Sequence, residues 1–528
     1  MKGSSKIRKI IIYSCLWILP IAAFLHHVFF LNQYVDRMID MDYSGEMICG
    51  RMIYEERRII PQNWIYTTEL RVVNLPLIFS LFFHFLDDWH MVRILSSALL
   101  LLLLMGCACV AGYQLGLRKL LPLLVLVFVL PFSGTYMDYV ISGLYYIPYI
   151  CFLLITVAMM LYIFDMVDMG RYPIYAVLLF ILSFVDGMTG FRMLLILYIP
   201  IFLTVLFMWK KGFFRDREQC RRGCMAGTGM MAAAFIGGLI NEKLHQYYIF
   251  ERQEQHFQEF DIDRISAVVN GILNCLGYSD GKADIWVLSR NLFCACTLLG
   301  AFLFLRTLFA KNGYDQKESN NNTKMIFFAF FAVTTNLLVI LLCIFTDQKI
   351  TPRYFIMGAV TVFFLLFLFL EKCIEKQKVY WLMVSAYILL LFFDSYGIYV
   401  AFRYQDKTEY LRGAVSYLME NGYHQGYSTE LNAPQMTELS DGQIDVWALE
   451  RGEYEAPYDR MEQWQQKYSH LTEKPDEKIF VLFQHDDTEK CPLKAMIDEP
   501  TVYQNGGVYI YAFTDYDALA RKYLKMTE

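Results

Sequence analysis

The chain is 528 residues long, 56% hydrophobic and 16% aromatic, with a mean hydropathy of +0.34, more apolar than one soluble globular fold of that size. A multi-pass membrane protein with a soluble portion remains. The formal net charge of -5, with Lys and Arg in short clusters, argues against a nucleic-acid-binding surface.

Lys2, Lys6, Arg8 and Lys9 precede about 22 apolar residues that read as a retained anchor, because the small-residue cleavage pattern of a signal peptide is missing. Hydrophobic spans fall at 10–31, 91–112, 119–137, 143–164, 172–189, 191–209, 223–240, 285–305, 325–345, 354–370 and 379–401. Eleven is odd, so the termini are expected on opposite sides. With the N-terminus inside, the inner segments hold 20 Lys and Arg in 63 residues, whereas the outer loops, longer in total, hold 12. The densest inner cluster is Lys210, Lys211, Arg215, Arg217, Arg221 and Arg222.

The first outer loop, 32–90, opens with Asp36, Asp40, Asp42 and Glu46 close to a membrane exit. Asn74 to Leu86 is an apolar run about 20 Å long as a helix, too short to cross a core of about 30 Å, and is expected to lie on or dip into the membrane. A second large outer loop covers 241–284. The expected division is thus a transmembrane domain over 1–401 and an outer soluble domain over 402–528. In the latter, 406–420 reads as an amphipathic helix with Leu411, Val415, Leu418 and Met419 on one side and Asn421-Gly422 as its stop. Asp441-Gly442 and Asn505-Gly506 read as hairpin turns, and Lys478 to Phe483 as a buried strand, which makes the domain mixed α/β.

Most of the thirteen cysteines, including Cys107, Cys109, Cys294, Cys296 and Cys343, sit in apolar spans as small hydrophobes. Cys49, Cys275 and Cys491 are expected outside, and no pair has zinc or redox spacing. Asp87-Asp88 reads as a solvated helix end, because adjacent acids on a helix point apart.

Several stretches together resemble the GT-C superfamily of membrane glycosyltransferases, which take sugar from a polyprenyl-phosphate carrier. Asp40-Met41-Asp42 looks like the acidic motif of its first outer loop. Thr67 to Leu77, running on to Met91–Ser97, looks like its interfacial helix leading into the second span, and Thr351-Pro352-Arg353-Tyr354-Phe355 resembles its Arg-Tyr at the outer start of a late helix. An outer C-terminal domain is also similar to that of many bacterial members. The resemblance implies a polytopic α-helical fold of about eleven spans with a C-terminal extracytoplasmic α/β domain. It also implies a polyprenyl-phosphate-linked sugar as donor, an envelope glycan or lipid as acceptor, and a bacterial plasma membrane around it. Tyr43-Ser44-Gly45 departs from the Glu or His that many members carry there. No metal ligands are therefore carried over, and a divalent cation stays open as cofactor.

Transfer from a phosphate-linked sugar needs a base for the acceptor hydroxyl and a cation for the leaving phosphate. Asp42 is the candidate base, with Asp40 as its nearby substitute; the plainer reading of Asp42 is a helix N-cap. One base is enough for an inverting reaction. Arg353 suits the donor phosphate, since a guanidinium offers a planar fork and stays charged. Its plainer role is an interfacial anchor with Tyr354. Lys349 and Arg192 are weaker phosphate candidates, and Glu69, Asp138 and His84 are candidates for binding the acceptor, Asp138 also for capping a helix. A transporter or flippase of lipid-linked saccharide is the main rival. Such proteins show internal repeats, broken helices or charges near the midplane, and the expectation here is polar residues at one face only. A non-catalytic envelope assembly protein is the other rival.

Overall fold

The computed structural model describes all residues except 1, 67–69, 167–170, 251–255, 283, 311–319, 378, 450–464, 485–499 and 524–528. It divides into two compact units. One comprises Met1–Phe29, Ser97–Glu242 and Glu254–Ala401; the other comprises Phe30–Ser96, Lys243–Gln253 and Phe402–Glu528.

In hydrocarbon only a helix satisfies every backbone N–H and C=O within one segment, so apolar runs of crossing length become helices. Among the described residues, nine qualify by length and apolarity: Ser14–Arg37, Trp89–Gln114, Ile147–Asp165, Leu194–Lys211, Arg217–Tyr247, Ile285–Phe309, Asn322–Phe345, Pro352–Glu375 and Tyr380–Tyr404. Pro352–Glu375 is the most enclosed, 83% buried over its apolar window, and forms the centre of the first unit. The run expected at 119–137 is instead a pair of helices, Leu121–Val129 and Gly134–Ser142, bent by 78°. Pro131 explains the break. It disfavours helical backbone at Leu130, which is extended at φ -91° and ψ 140°, and Ser133 restarts the helix by accepting the Tyr136 N–H at 3.0 Å.

Counting that pair as one crossing makes ten, and Tyr172–Gly187, an apolar helix of 16 residues, accounts for the eleventh run. This helix packs backbone to backbone against the Arg217–Leu244 helix. A side chain at Gly187 would strike the Ala234 carbonyl, and one at Gly237 the Phe184 carbonyl. The expectation of unbroken spans without buried charge does not hold. Besides the bent pair, Asp394 lies fully buried within Tyr380–Tyr404, where it accepts the Ser289 hydroxyl at 2.6 Å.

The second unit is built on a five-stranded sheet with strand order Asp445–Leu449, Gln425–Thr429, Ile479–Gln484, Val508–Phe513, Tyr503–Asn505. The first three are parallel and the last two antiparallel. Ile479–Gln484 is the central buried strand its composition predicts. The amphipathic helix forms over Glu409–Glu420 and buries Leu411, Ala414, Val415 and Leu418, while Met419 faces out. Asn505 pairs with Val508 across Gly506-Gly507, whose φ of +58° and +80° make the expected tight hairpin. Asp441-Gly442 is not a hairpin. The strands before and after it are parallel, and these two residues, at φ +51° and +73°, turn the chain from the Ala433–Leu439 helix toward Asp445–Leu449.

Two helices of the loop over 32–90 belong to this unit. Asp40 caps Met41–Glu56 by accepting the Tyr43 N–H at 3.2 Å, and the apolar run at 74–86 yields Leu75–Phe83, with Asn74 at its N-cap position. The two pack closely at Gly50, where an added Cβ would lie 2.6 Å from that of Phe79. Arg93 is 1% exposed and bonds Glu438, 7% exposed, at 2.6 Å, while also donating to the Tyr43 carbonyl at 3.0 Å. Burial pushes the Glu438 carboxyl up, and the Arg93 charge opposes this.

Removing one partner of such a pair strands a buried charge. Glu438→Ala is therefore expected to cost about 3–5 kcal/mol, seen as a lowered unfolding temperature of the detergent-solubilised chain. Combining it with Arg93→Met restores most of the loss; a double variant no more stable than Glu438→Ala would show that the pair is not what the unit depends on.

Candidate functional site

The candidate residues fall into two clusters, one in each unit. In the second unit the chain leaves the first span through a 3-10 turn, Val35–Arg37, and enters the Met41–Glu56 helix. The Asp36 carboxylate meets His90 Nδ1 at 2.8 Å. Asp40, not Asp42, is the N-cap, and its other oxygen lies 3.6 Å from Lys407 Nζ. Asp42 occupies the first turn, where the helix dipole favours a negative charge.

One turn on, at the i+4 position that shares a face with Asp42, Glu46 is buried and pairs with Arg71 at 2.6 Å. A cavity of about 30 Å³ beside this pair is lined by Gly45, Cys49, Trp64, Tyr66, Pro76 and Gln465 as well. Burial pushes the Glu46 carboxyl up; Arg71 opposes the shift and Asp42 adds to it.

His84 stands apart from that cavity. It is exposed, ends the Leu75–Phe83 helix, contacts the Ser80 carbonyl through Nδ1 at 2.8 Å and sets its ring against Tyr54 at 4.9 Å. Glu69 lies outside the described residues. Asp87 and Asp88 do point apart. Asp87 pairs with Arg51 at 3.2 Å, whereas Asp88 accepts the Met91 N–H at 2.9 Å. Among the described residues no group of three His, Cys, Asp or Glu side chains converges as a metal site would require.

The first unit gathers basic and aromatic groups. Thr351 is extended ahead of Pro352, as a residue before proline prefers, and the Pro352–Phe355 turn that opens the central helix presents Arg353. Its guanidinium lies 5.3 Å from the Tyr139 ring centre and 5.7 Å from that of Tyr354. Arg192, ahead of the π-helical turn Leu194–Tyr198, lies 5.6 Å from the Tyr149 ring. Tyr146 links the two, its ring 6.2 Å from each of Tyr139 and Tyr149, and both guanidinium charges act on its buried hydroxyl.

The backbone makes this clustering. A π-helical turn over Met137–Ser142 is followed by Leu144 at φ +62°, an uncommon conformation for a bulky residue, and the chain folds back so that Tyr146 N bonds the Tyr139 carbonyl at 3.1 Å. Asp138 sits half-buried in that π-helical turn beside Tyr139; the local N-cap is Ser133, so Asp138 is not the cap its position suggested. Lys349 is exposed. Arg353, Tyr354 and Arg192 thus share one cluster, and among the described residues no carboxylate pairs with Arg353. Sequence reasoning missed Tyr139, Tyr146 and Tyr149. The available signal was four tyrosines among eleven residues at the end of an interrupted apolar run.

No protein-family profile matches the chain, and no curated protein matches it. Among solved structures, it is similar to the Archaeoglobus fulgidus oligosaccharyltransferase, crystallised while tethered by a disulfide to an acceptor peptide containing the NVT sequon. The TM-score is 0.50 at 9% identity, over 89% of this chain and 69% of that one. The likeness is one of fold: a polytopic arrangement of apolar helices with a small C-terminal sheet domain.

The raised Glu46 carboxyl has a pH consequence. Ionising it costs the folded state more than the unfolded one. Its stabilising share is therefore complete below the ordinary glutamate value of 4.5 and declines as pH rises through the raised one. Unfolding temperatures measured across that window should fall more steeply for wild type than for Glu46→Gln. Parallel curves would mean that the carboxyl is not raised.

Proposed function

We propose that this chain is a membrane glycosyltransferase that moves a hexosyl or pentosyl group from a polyprenyl-phosphate donor to an extracytoplasmic acceptor, an envelope glycan or lipid. The observation that carries the reading is the pairing of a GT-C-like fold with the Arg353–Tyr146–Arg192 cluster, which offers two guanidinium groups to an anion at the start of the central helix. The orientation that goes with it has the N-terminus cytoplasmic and the C-terminal domain outside, in a bacterial plasma membrane.

The chemistry follows from the leaving group. As the bond between the anomeric carbon and the phosphate oxygen breaks, negative charge grows on the phosphate, and Arg353, assisted by Arg192, stabilises it with charge-assisted hydrogen bonds. The ring centres of Tyr139 and Tyr354 lie 5.3 and 5.7 Å from the Arg353 guanidinium, and the rings help hold it in place. Asp42 is assigned as the base for the acceptor hydroxyl, with Asp40, the cap of the same helix, as its nearby substitute. A single displacement inverts the anomeric centre and releases polyprenyl phosphate. Asp138, Glu69 and His84 are assigned to the acceptor. The reading calls for no cofactor, and dependence on a divalent cation is tested by chelation.

One observation favours a second reading, transport of a lipid-linked saccharide. Leu121–Val129 and Gly134–Ser142 form a broken crossing, and discontinuous helices are a transporter device.

Release of free polyprenyl phosphate from a panel of polyprenyl-phosphate sugars separates the two. Wild type should consume one donor. Asp42→Asn should lose about 10²–10⁴-fold in turnover, the usual contribution of a general base, and Arg353→Ala should lose as much. Arg353→Lys should retain part of the activity, having charge without the fork. Movement of intact donor across proteoliposomes without release of polyprenyl phosphate would favour transport. Full turnover by folded Asp42→Asn would remove Asp42 from the mechanism.

A further inference from the structure

The segment leading into the Ile262–Cys275 helix carries large apolar side chains on the outside of the first unit, and sugar transfer makes no use of them. Phe257 is 88% exposed, Phe260 60% and Ile262 72%. Their backbone is held firmly. Phe257 forms an antiparallel bridge with Thr346, His256 N–H donates to Asp347 Oδ1 at 3.0 Å, and Gln258 N–H donates to the Phe345 carbonyl at 3.1 Å. Arg264 adds bonds to the carbonyls of Cys343 and Gln348, both at 2.7 Å. The outward aim of the apolar groups is therefore set by a braced strand-like segment.

The neighbouring surface identifies what covers them. On the crossing helix Asn322–Phe345, the residues Val333, Leu337, Leu341 and Phe345 recur at every fourth position and all are exposed. In a crossing helix such a stripe meets acyl chains. It ends at Phe345, whose ring is 6.3 Å from that of Phe260, so the lipid-facing surface continues from the helix end onto the braced segment. The acids run opposite. Asp261 is extended at φ -125° and ψ 130°, which turns it away from the side shared by Phe260 and Ile262, and Asp347 and Lys349 are exposed one step beyond the helix end.

We propose that Phe257, Phe260 and Ile262 form a wedge seated among the phospholipid acyl chains of the leaflet at that helix end, with Asp261, Asp347 and Lys349 in the head-group layer. The wedge fixes the depth of the 346–353 turn, and so of Arg353, at the boundary between lipid and water. It holds whether or not the chain transfers sugar, because its test reads contact with lipid and not turnover.

The test places benzoylphenylalanine, singly, at Phe257, Phe260, Glu259 and Asp347 of the full chain in nanodiscs of dioleoylphosphatidylcholine. After illumination, adducts are identified by mass spectrometry. Acyl-chain adducts at 257 and 260 should exceed those at 347 by tenfold or more, with unfolding temperatures matching wild type. Equal yields at all four positions, or no lipid adduct at 257 and 260, would overturn the proposal. Protein dimers cross-linked through 257 or 260 would do the same, since they would assign the patch to a second copy.

Discussion

An unpartnered peptide group in hydrocarbon costs several kcal/mol, and this constraint decides where chemistry can sit in the first unit. Crossing segments must be helical, so irregular backbone is confined to helix ends and enclosed breaks. Those are the places where the polar candidates occur. Arg353 stands on the turn that opens the Pro352–Glu375 helix, Arg192 just ahead of the Leu194–Tyr198 turn, and Asp138 in the π-helical turn after the Pro131 break. The break that costs the third span its length also supplies Tyr139 and Tyr146, because the chain must fold back through Leu144 to resume a helix at Ile147.

In the second unit the corresponding constraint is desolvation. Arg93 and Glu438, and Arg71 and Glu46, are buried as pairs, and neither member of a pair could be kept there alone. Such pairs rarely add much to stability over apolar substitutes, but they fix register. Arg93 can reach Glu438 and the Tyr43 carbonyl together in one arrangement of the loop helices on the Ala433–Leu439 helix.

Periodicity made much of this legible. The positions of the apolar runs, the Glu409–Glu420 helix, the central strand and the Gly506-Gly507 hairpin all follow from local pattern. What failed was non-local. Asp441-Gly442 is a good hairpin dipeptide, and only the parallel pairing of the strands on either side shows that it serves as a helix exit. Asp40 and Asp42 are both acceptable caps, and the choice falls on whichever residue the 3-10 turn leaves extended, namely Asp40 at φ -136°. The partner of Arg93 is 345 residues away and carries no local signal.

The same limit applies to the site. Arg353 could be singled out because Thr351 to Phe355 resembles a family motif at the outer start of a late helix and because a guanidinium suits a phosphate. Its aromatic cradle could not, since Tyr139 comes from a different segment, brought there by a proline break and a left-handed leucine. That cradle is what favours the proposed anion site over a plain interfacial anchor. An anchoring arginine needs only to reach water. A guanidinium set close to two tyrosine rings is held in position while keeping its charge, and its planar fork suits oxygen acceptors such as those of a phosphate. A second guanidinium acts on the same buried tyrosine, and this gathering of positive charge at one end of the helix is what supports the proposed phosphate there.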